Sequence, residues 1–220
     1  MTMNQLIRMT AALTFAGLSM GAFAQAKNFE GMNATASVGY QSATGKISNM
    51  SVANVTVSDT SLAGATINLG LEYIVAINDL YTLGLGVEAN VLPSSSGRHE
   101  SYLNGTKIAN NGGELKVASS YGIFISPGMS VSSETLVYAK LGYVQLTTSG
   151  TYDNGTNRPN DSSNGYSLGL GLKQLLGKNT FLFGEFNYIT LQSKDGASGG
   201  ATYKTSGSVM NGAVGIGYKF

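Results

Sequence analysis

Tyr81-Thr82-Leu83-Gly84-Leu85-Gly86-Val87-Glu88-Ala89-Asn90-Val91 alternates apolar side chains with small or polar ones along its whole length. A period of two puts Tyr81, Leu83, Leu85, Val87, Ala89 and Val91 on one face of a β-strand and Thr82, Gly84, Gly86, Glu88 and Asn90 on the other. Seven more segments repeat the pattern, over 31–41, 63–76, 114–126, 134–146, 165–175, 180–190 and 206–220. With 80–92 they make eight predicted strands, all longer than the five or six residues usual in globular sheets, and long enough for the roughly 9–11 that cross a bilayer at a tilt. In 180–190, Phe181 and Phe183 interrupt the alternation, and Glu185 and Asn187 set its phase.

The connections alternate as well. Segments 42–62, 93–113, 147–164 and 191–205 are long and rich in Ser, Asn, Gly and Thr, whereas 77–79, 127–133 and 176–179 are short. One end of the sheet therefore carries four long loops and the other three turns and both termini, as in an outer-membrane barrel. Six charges fall on the polar face within strands: Glu72, Glu88, Lys116, Lys140, Lys173 and Glu185. The apolar face has none, which is what hydrocarbon demands, because a cation at the bilayer midplane costs about 2–4 kcal/mol. The expected fold is all-β, an eight-stranded antiparallel up-and-down transmembrane β-barrel with lipid-facing apolar residues and a polar, ion-paired lumen. The lumen glycines Gly70, Gly84, Gly86, Gly142, Gly169 and Gly171 are expected to leave room for water. Tyr40, Tyr166 and Tyr188 near the loop ends, and Tyr73, Tyr81, Tyr218 and Phe220 near the turn ends, are read as two interfacial girdles. Tyr121 and Tyr143 fall closer to mid-strand.

Composition removes other classes. Of 220 residues only 11% are charged, with a formal net charge of +1; soluble domains average about 25% charged. The lack of Cys excludes a disulfide framework and thiolate zinc, the single His99 leaves no His pair, and near-neutrality removes the basic footprint of a nucleic-acid binder. No catalytic residue, metal or cofactor is expected. Residues 1–24 read as a secretory signal: Arg8 precedes an apolar run from Met9 to Met20, and Ala22-Phe23-Ala24 offers a cleavage site before Gln25. That leaves 25–220 as the barrel.

The leader, the eight strands and the terminal Gly212-Ala213-Val214-Gly215-Ile216-Gly217-Tyr218-Lys219-Phe220 together resemble the small outer-membrane β-barrel proteins of Gram-negative bacteria. That group includes the barrel domain of outer membrane protein A, outer membrane protein X and neisserial surface protein A. Val137–Tyr143 and Leu182–Tyr188 are similar to paired strands of the same group. Unlike the protein A type, the sequence ends at its last strand. The resemblance implies an outer-membrane location among lipid and lipopolysaccharide, and insertion by the barrel assembly machinery reading Tyr218 and Phe220. It also implies a structural or adhesion-type role, with any surface ligand met by the four long loops. Two rivals stay open: a narrow porin-like channel, and a lipid A-modifying enzyme, since His99 and Ser101 resemble the catalytic pair of lipid A deacylase. A soluble exported barrel is a third. Gly84–Ala89 imitates a dinucleotide fingerprint but opens no helix.

Overall fold

The computed structural model describes residues 25–48, 51, 55–57, 59–92, 94–107, 113–198 and 201–220. Its strands are β1 (Gly31–Ser48), β2 (Val55–Val57), β3 (Thr60–Ala76), β4 (Tyr81–Asn90), β5 (Ser94–His99), β6 (Ser101–Leu103), β7 (Thr106–Lys107), β8 (Gly113–Ser130), β9 (Thr135–Tyr152), β10 (Asn157–Leu175), β11 (Thr180–Ser198) and β12 (Ala201–Lys219). The eight long ones pair antiparallel in chain order, β4 joins β8, and β12 returns to β1, closing a hydrogen-bonded ring. Closure removes the open edges that an exposed sheet would present. Beyond β4, β5 adds to the loop end of β8, and β2, β6 and β7 form a small separate sheet. In that sheet Asn104 and Gly105, both at positive φ, supply the two-residue turn from β6 to β7.

Direct partners run from Ala34 through Leu71, Val87, Ile123, Tyr143, Tyr166, Thr190 and Ser208 back to β1 at Thr44, ten residues above the start. An even stagger is required, since an odd one would swap the two faces on closure. At about 3.3 Å per residue and about 4.8 Å between strands, this stagger tilts the strands by about 40° from the axis, within the usual range for barrels.

The strands run far into the segments read as loops. β9 and β10 leave only 153–156 between them, and β11 continues to Ser198, because their backbones keep pairing where the apolar alternation has ended. At the other end, the predicted turn 127–133 is corrected to 131–134. Pro127 to Ser130 belong to β8, with Pro127 opposite Leu83 of β4.

Two apolar clusters occupy the lumen, one near each end. At the turn end Phe29, Ile74, Leu136, Leu175 and Phe181 pack together with Phe183. Phe181 and Phe183 break the sequence pattern because they serve this cluster and point inward with Glu185 and Asn187. Phe29 arrives on a 3-10 turn, Ala26–Phe29, which enters the mouth of the ring. The Ala26 amide donates to the Asp79 carbonyl at 2.9 Å, Asn28 Nδ2 to the Ser133 carbonyl at 2.8 Å, and Lys219 Nζ to the Asn28 carbonyl at 2.6 Å. Toward the loop end Ala43, Leu62, Val117, Leu146 and Val209 form the second cluster. Truncating a buried Phe costs about 3–5 kcal/mol, so Phe29→Ala is expected to release the segment before Gly31. Limited proteolysis should then cut there, while the ring keeps its resistance to unheated detergent.

Candidate functional site

The lumen between the clusters holds the charges. Lys140, 2% exposed, donates from Nζ to Glu88 Oε2 at 2.5 Å and Glu185 Oε1 at 2.8 Å, and its ammonium lies 4.3 Å from the centre of the Phe124 ring. Glu185 also accepts from Tyr138 Oη at 2.9 Å and Asn187 Nδ2 at 2.6 Å. Lys173 Nζ pairs with Glu72, which accepts a second bond from Ser126, and lies 5.0 Å from the Tyr138 ring centre. Five strands thus send charges across the axis into one layer: β3 with Glu72, β4 with Glu88, β9 with Lys140, β10 with Lys173 and β11 with Glu185. Desolvated charges of this kind persist only when paired and hydrogen-bonded, as these are.

Lys116 is not among them. Its side chain is exposed and its ammonium lies 3.7 Å from Glu114. The cause is a β-bulge: Val117 faces Thr148 and Ser119 faces Thr147, so Ala118 is an extra residue in β8. One inserted residue inverts the phase above it, turning Val117 into the loop-end cluster and Lys116 outward. Beside the lumen glycines most of the expected space is filled, although Gly70 also borders a cavity. A Cβ on Gly86 would meet the Phe124 ring, on Gly171 the Tyr138 ring, on Gly84 Ser126 and Glu72, on Gly70 Thr35, on Gly142 Ser167, and on Gly169 Asn187. These glycines make way for larger partners. Tyr138 and Phe124 were not singled out from sequence, although each lies on the polar face, in phase with Lys140 or Gly122.

A polar cavity of about 80 Å³ remains along the charged layer, bordered by Glu72, Glu88, Lys140, Lys173 and Glu185 and by Asn68, Asn90 and Asn211. Ser167 Oγ and Asn187 Oδ1 are buried in the wall, against Gly142 and Gly169, without a hydrogen-bond partner.

The outer surface is the reverse. Leu69 at 49%, Leu83 at 39% and Leu170 at 67% exposure belong to a belt of outward Leu, Val, Ile and Tyr that runs around the ring. Water would make such a belt an aggregation surface. Tyr40, Tyr73, Tyr81, Tyr166, Tyr188 and Tyr218 all point outward, as do Tyr121 and Tyr143. With the tilt above, each step to the next strand at constant register climbs about 3 Å, and each residue along a strand about 2.5 Å. Tyr40, Tyr121, Tyr143, Tyr166 and Tyr188 then share one level to within about 3 Å. Tyr121 and Tyr143 look mid-strand only when strands are counted as if upright; Tyr143 faces Tyr166 directly, rings 5.6 Å apart. Tyr73 and Tyr218 lie about 16–18 Å lower, with Tyr81 and Phe220 about 6 Å below them, in keeping with an apolar band flanked by aromatic rows.

Among the described residues no helix is long and apolar enough to cross a membrane, and no group of three or more His, Cys, Asp or Glu could hold a metal ion. His99 ends β5 opposite Gly113, while Ser101 opens β6 in the other sheet.

A closed sheet with an apolar exterior and a charged interior defines an integral membrane protein that crosses with strands, since only closed sheets and helices satisfy every backbone group in lipid. The chain belongs to the outer membrane protein β-barrel domain family, whose model matches residues 10–220. It is therefore a multi-pass β-barrel of the Gram-negative outer membrane. The structure is similar to neisserial surface protein A, with 17% identity, 87% of this chain and 98% of that chain covered, and a TM-score of 0.51. It is also similar to the outer membrane protease OmpT of Escherichia coli, at 11% identity, 86% and 97% coverage and a TM-score of 0.50. A third similarity is to Ail, the attachment invasion locus protein of Yersinia pestis, at 17% identity, 87% and 99% coverage and a TM-score of 0.47. No curated protein matches the sequence. A fold shared with a surface protein and a protease does not choose between their functions.

Proposed function

We propose that the chain is an eight-stranded up-and-down transmembrane barrel acting as a closed structural and surface-interaction component, without catalytic activity. The observation that carries this reading is the stacking of the lumen: an apolar cluster, a layer of paired charges, and a second apolar cluster. Small eight-stranded barrels are filled by side chains in this way and offer ions no continuous wet path. What remains available to a partner is the loop end, where most of the described residues of 42–62, 93–113, 147–164 and 191–205 lie on paired strands. Residues 1–24 act as the export signal, removed before Gln25. Tyr218 and Phe220 present the terminal aromatic strand to the barrel assembly machinery, and the two rows of Tyr anchor the barrel among lipid and lipopolysaccharide.

Planar-bilayer recording tests the closed lumen. The parent protein is expected to pass no resolvable current, and Lys140→Ala none either, because both apolar clusters stay in place. A steady ohmic conductance from the parent would overturn the reading in favour of a narrow channel. For the enzyme alternative, lipid A acyl chains from cells with and without the protein are expected to give the same mass spectrum.

A further inference from the structure

The upper row of tyrosines is broken on one side of the ring. Tyr40, Tyr121, Tyr143, Tyr166 and Tyr188 mark the edge of the hydrocarbon on β1, β8, β9, β10 and β11, whereas β3 and β4 bring Ile67 and Ala89 to that level. On these two strands the apolar surface does not stop there. Ala65 and Ala63 of β3 are exposed, and Val91 and Leu92, which follow β4, are 52% and 36% exposed. Val91 is fixed in the wall, because its amide donates to the Ile67 carbonyl at 2.9 Å and so extends the β3–β4 register. By the same rise per strand and per residue, these four residues stand roughly 2–9 Å above the tyrosine row. At similar heights the other strands carry polar residues in phase with their tyrosines: Ser42 on β1, Gln145 on β9, Asn164 on β10 and Thr190 on β11. Ser42 is the direct partner of Ala63, so the change from hydroxyl to apolar takes place between neighbouring strands.

We infer that this sector of β3 and β4 is a lipid-binding surface, on which an acyl chain of an outer-leaflet lipid lies along Ile67, Ala65, Val91 and Leu92, above the level where the tyrosines end the hydrocarbon elsewhere. Continuity identifies the occupant. Leu71 and Leu69 on β3, and Leu85 and Val87 on β4, belong to the belt that meets acyl chains, and no polar residue interrupts the outward face between them and the patch. Contiguous exposed apolar surface marks an interaction site, and a bilayer meets a locally taller apolar band by thickening beside it at modest cost. Headgroup charge does not choose the lipid. At the loop end the sector is flanked by Lys46 with Asp59 and by Lys116 with Glu114, each pair exposed and 3.7 Å apart. Every one of these ammoniums has a carboxylate beside it, so the surface selects for the acyl chain and not for an anionic head.

The inference rests on the outward belt meeting lipid, and one experiment separates the two. The chain contains neither Trp nor Cys, so a single substitution reports a single position. In phospholipid vesicles brominated near the ester end of the acyl chain, Val91→Trp fluorescence should be quenched several-fold more than that of Thr190→Trp, which sits at a similar height. Iodide added to the water should rank the two in the opposite order. Val87→Trp, midway down the belt, is the control and should be quenched by bromine near the methyl end. If it is not, the belt fails and this surface with it; if it is, while Val91→Trp and Thr190→Trp respond alike, the raised chain alone is refuted. Val91→Trp shielded from bromine and iodide together would place a second copy of the protein on the patch and would also overturn the inference. Quenching at Val91→Trp should be equal in zwitterionic and anionic lipid, and a requirement for the anionic head would overturn selection by the chain. Should tryptophan at this position prevent insertion, Ala65→Cys should react several-fold more slowly than Thr190→Cys with a charged maleimide in the same vesicles. Equal rates would refute the site.

Discussion

Replacing Lys140 with alanine should destabilise the folded barrel by about 3–5 kcal/mol, the usual consequence of stripping one partner from a buried ionic cluster. Lys140 alone joins Glu88 to Glu185, at 2.5 and 2.8 Å, and its stem and ammonium fill the space beside Phe124. Without it, the two carboxylates confront each other with no cation between them, and Tyr138 and Asn187 remain bonded to an uncompensated Glu185. The gel mobility shift should move to a markedly lower temperature. Lys140→Ala combined with Glu88→Gln removes one charge of each sign and should recover part of the loss. Equal midpoints for parent and Lys140→Ala would show that the layer contributes no stability.

The second large effect concerns the outside. Leu170 lies roughly midway between the upper row of tyrosines and the Tyr73 and Tyr218 level, and is 67% exposed. Leu170→Arg places a guanidinium at the centre of the hydrocarbon, at a cost of about 2–4 kcal/mol. Refolding titrations into lipid vesicles should read that loss. Thr151→Arg, on the length of β9 beyond the tyrosine row, should cost close to nothing. If both arginines behaved alike, the belt would not be facing acyl chains.

The alternation that located β4 could be read from sequence because it is local: lipid on one side and a polar lumen on the other impose a demand at every second residue. The same logic explains where reading failed. Past the tyrosine row both faces of β9 to β12 meet water or a crowded mouth, so nothing enforces alternation, and paired strands such as Asn157–Ser163 looked like loop. The bulge at Ala118 has no compositional mark, yet it alone moved Lys116 out of the lumen. Phe181 and Phe183 looked like noise in a polar series, and only their packing with Phe29, Ile74, Leu136 and Leu175, most of them distant in sequence, gives them a purpose. Tyr121 and Tyr143 were misjudged because height in a tilted sheet depends on which strand a residue occupies as well as on its place along that strand. By contrast, Glu72, Glu88, Lys140, Lys173 and Glu185 were all identifiable, since a charge in phase with glycine and asparagine inside a membrane strand has nowhere else to point.

The overgrowth of the strands carries a mechanical consequence. From Tyr166 up to Asn157 the β10 ladder spans nine residues, which at the tilt found here is about 20 Å of stiff ribbon standing above the acyl boundary. A tip on such a pillar is held at a fixed height above that boundary. Anything docking there meets a surface already ordered, and loses little entropy in fastening to it.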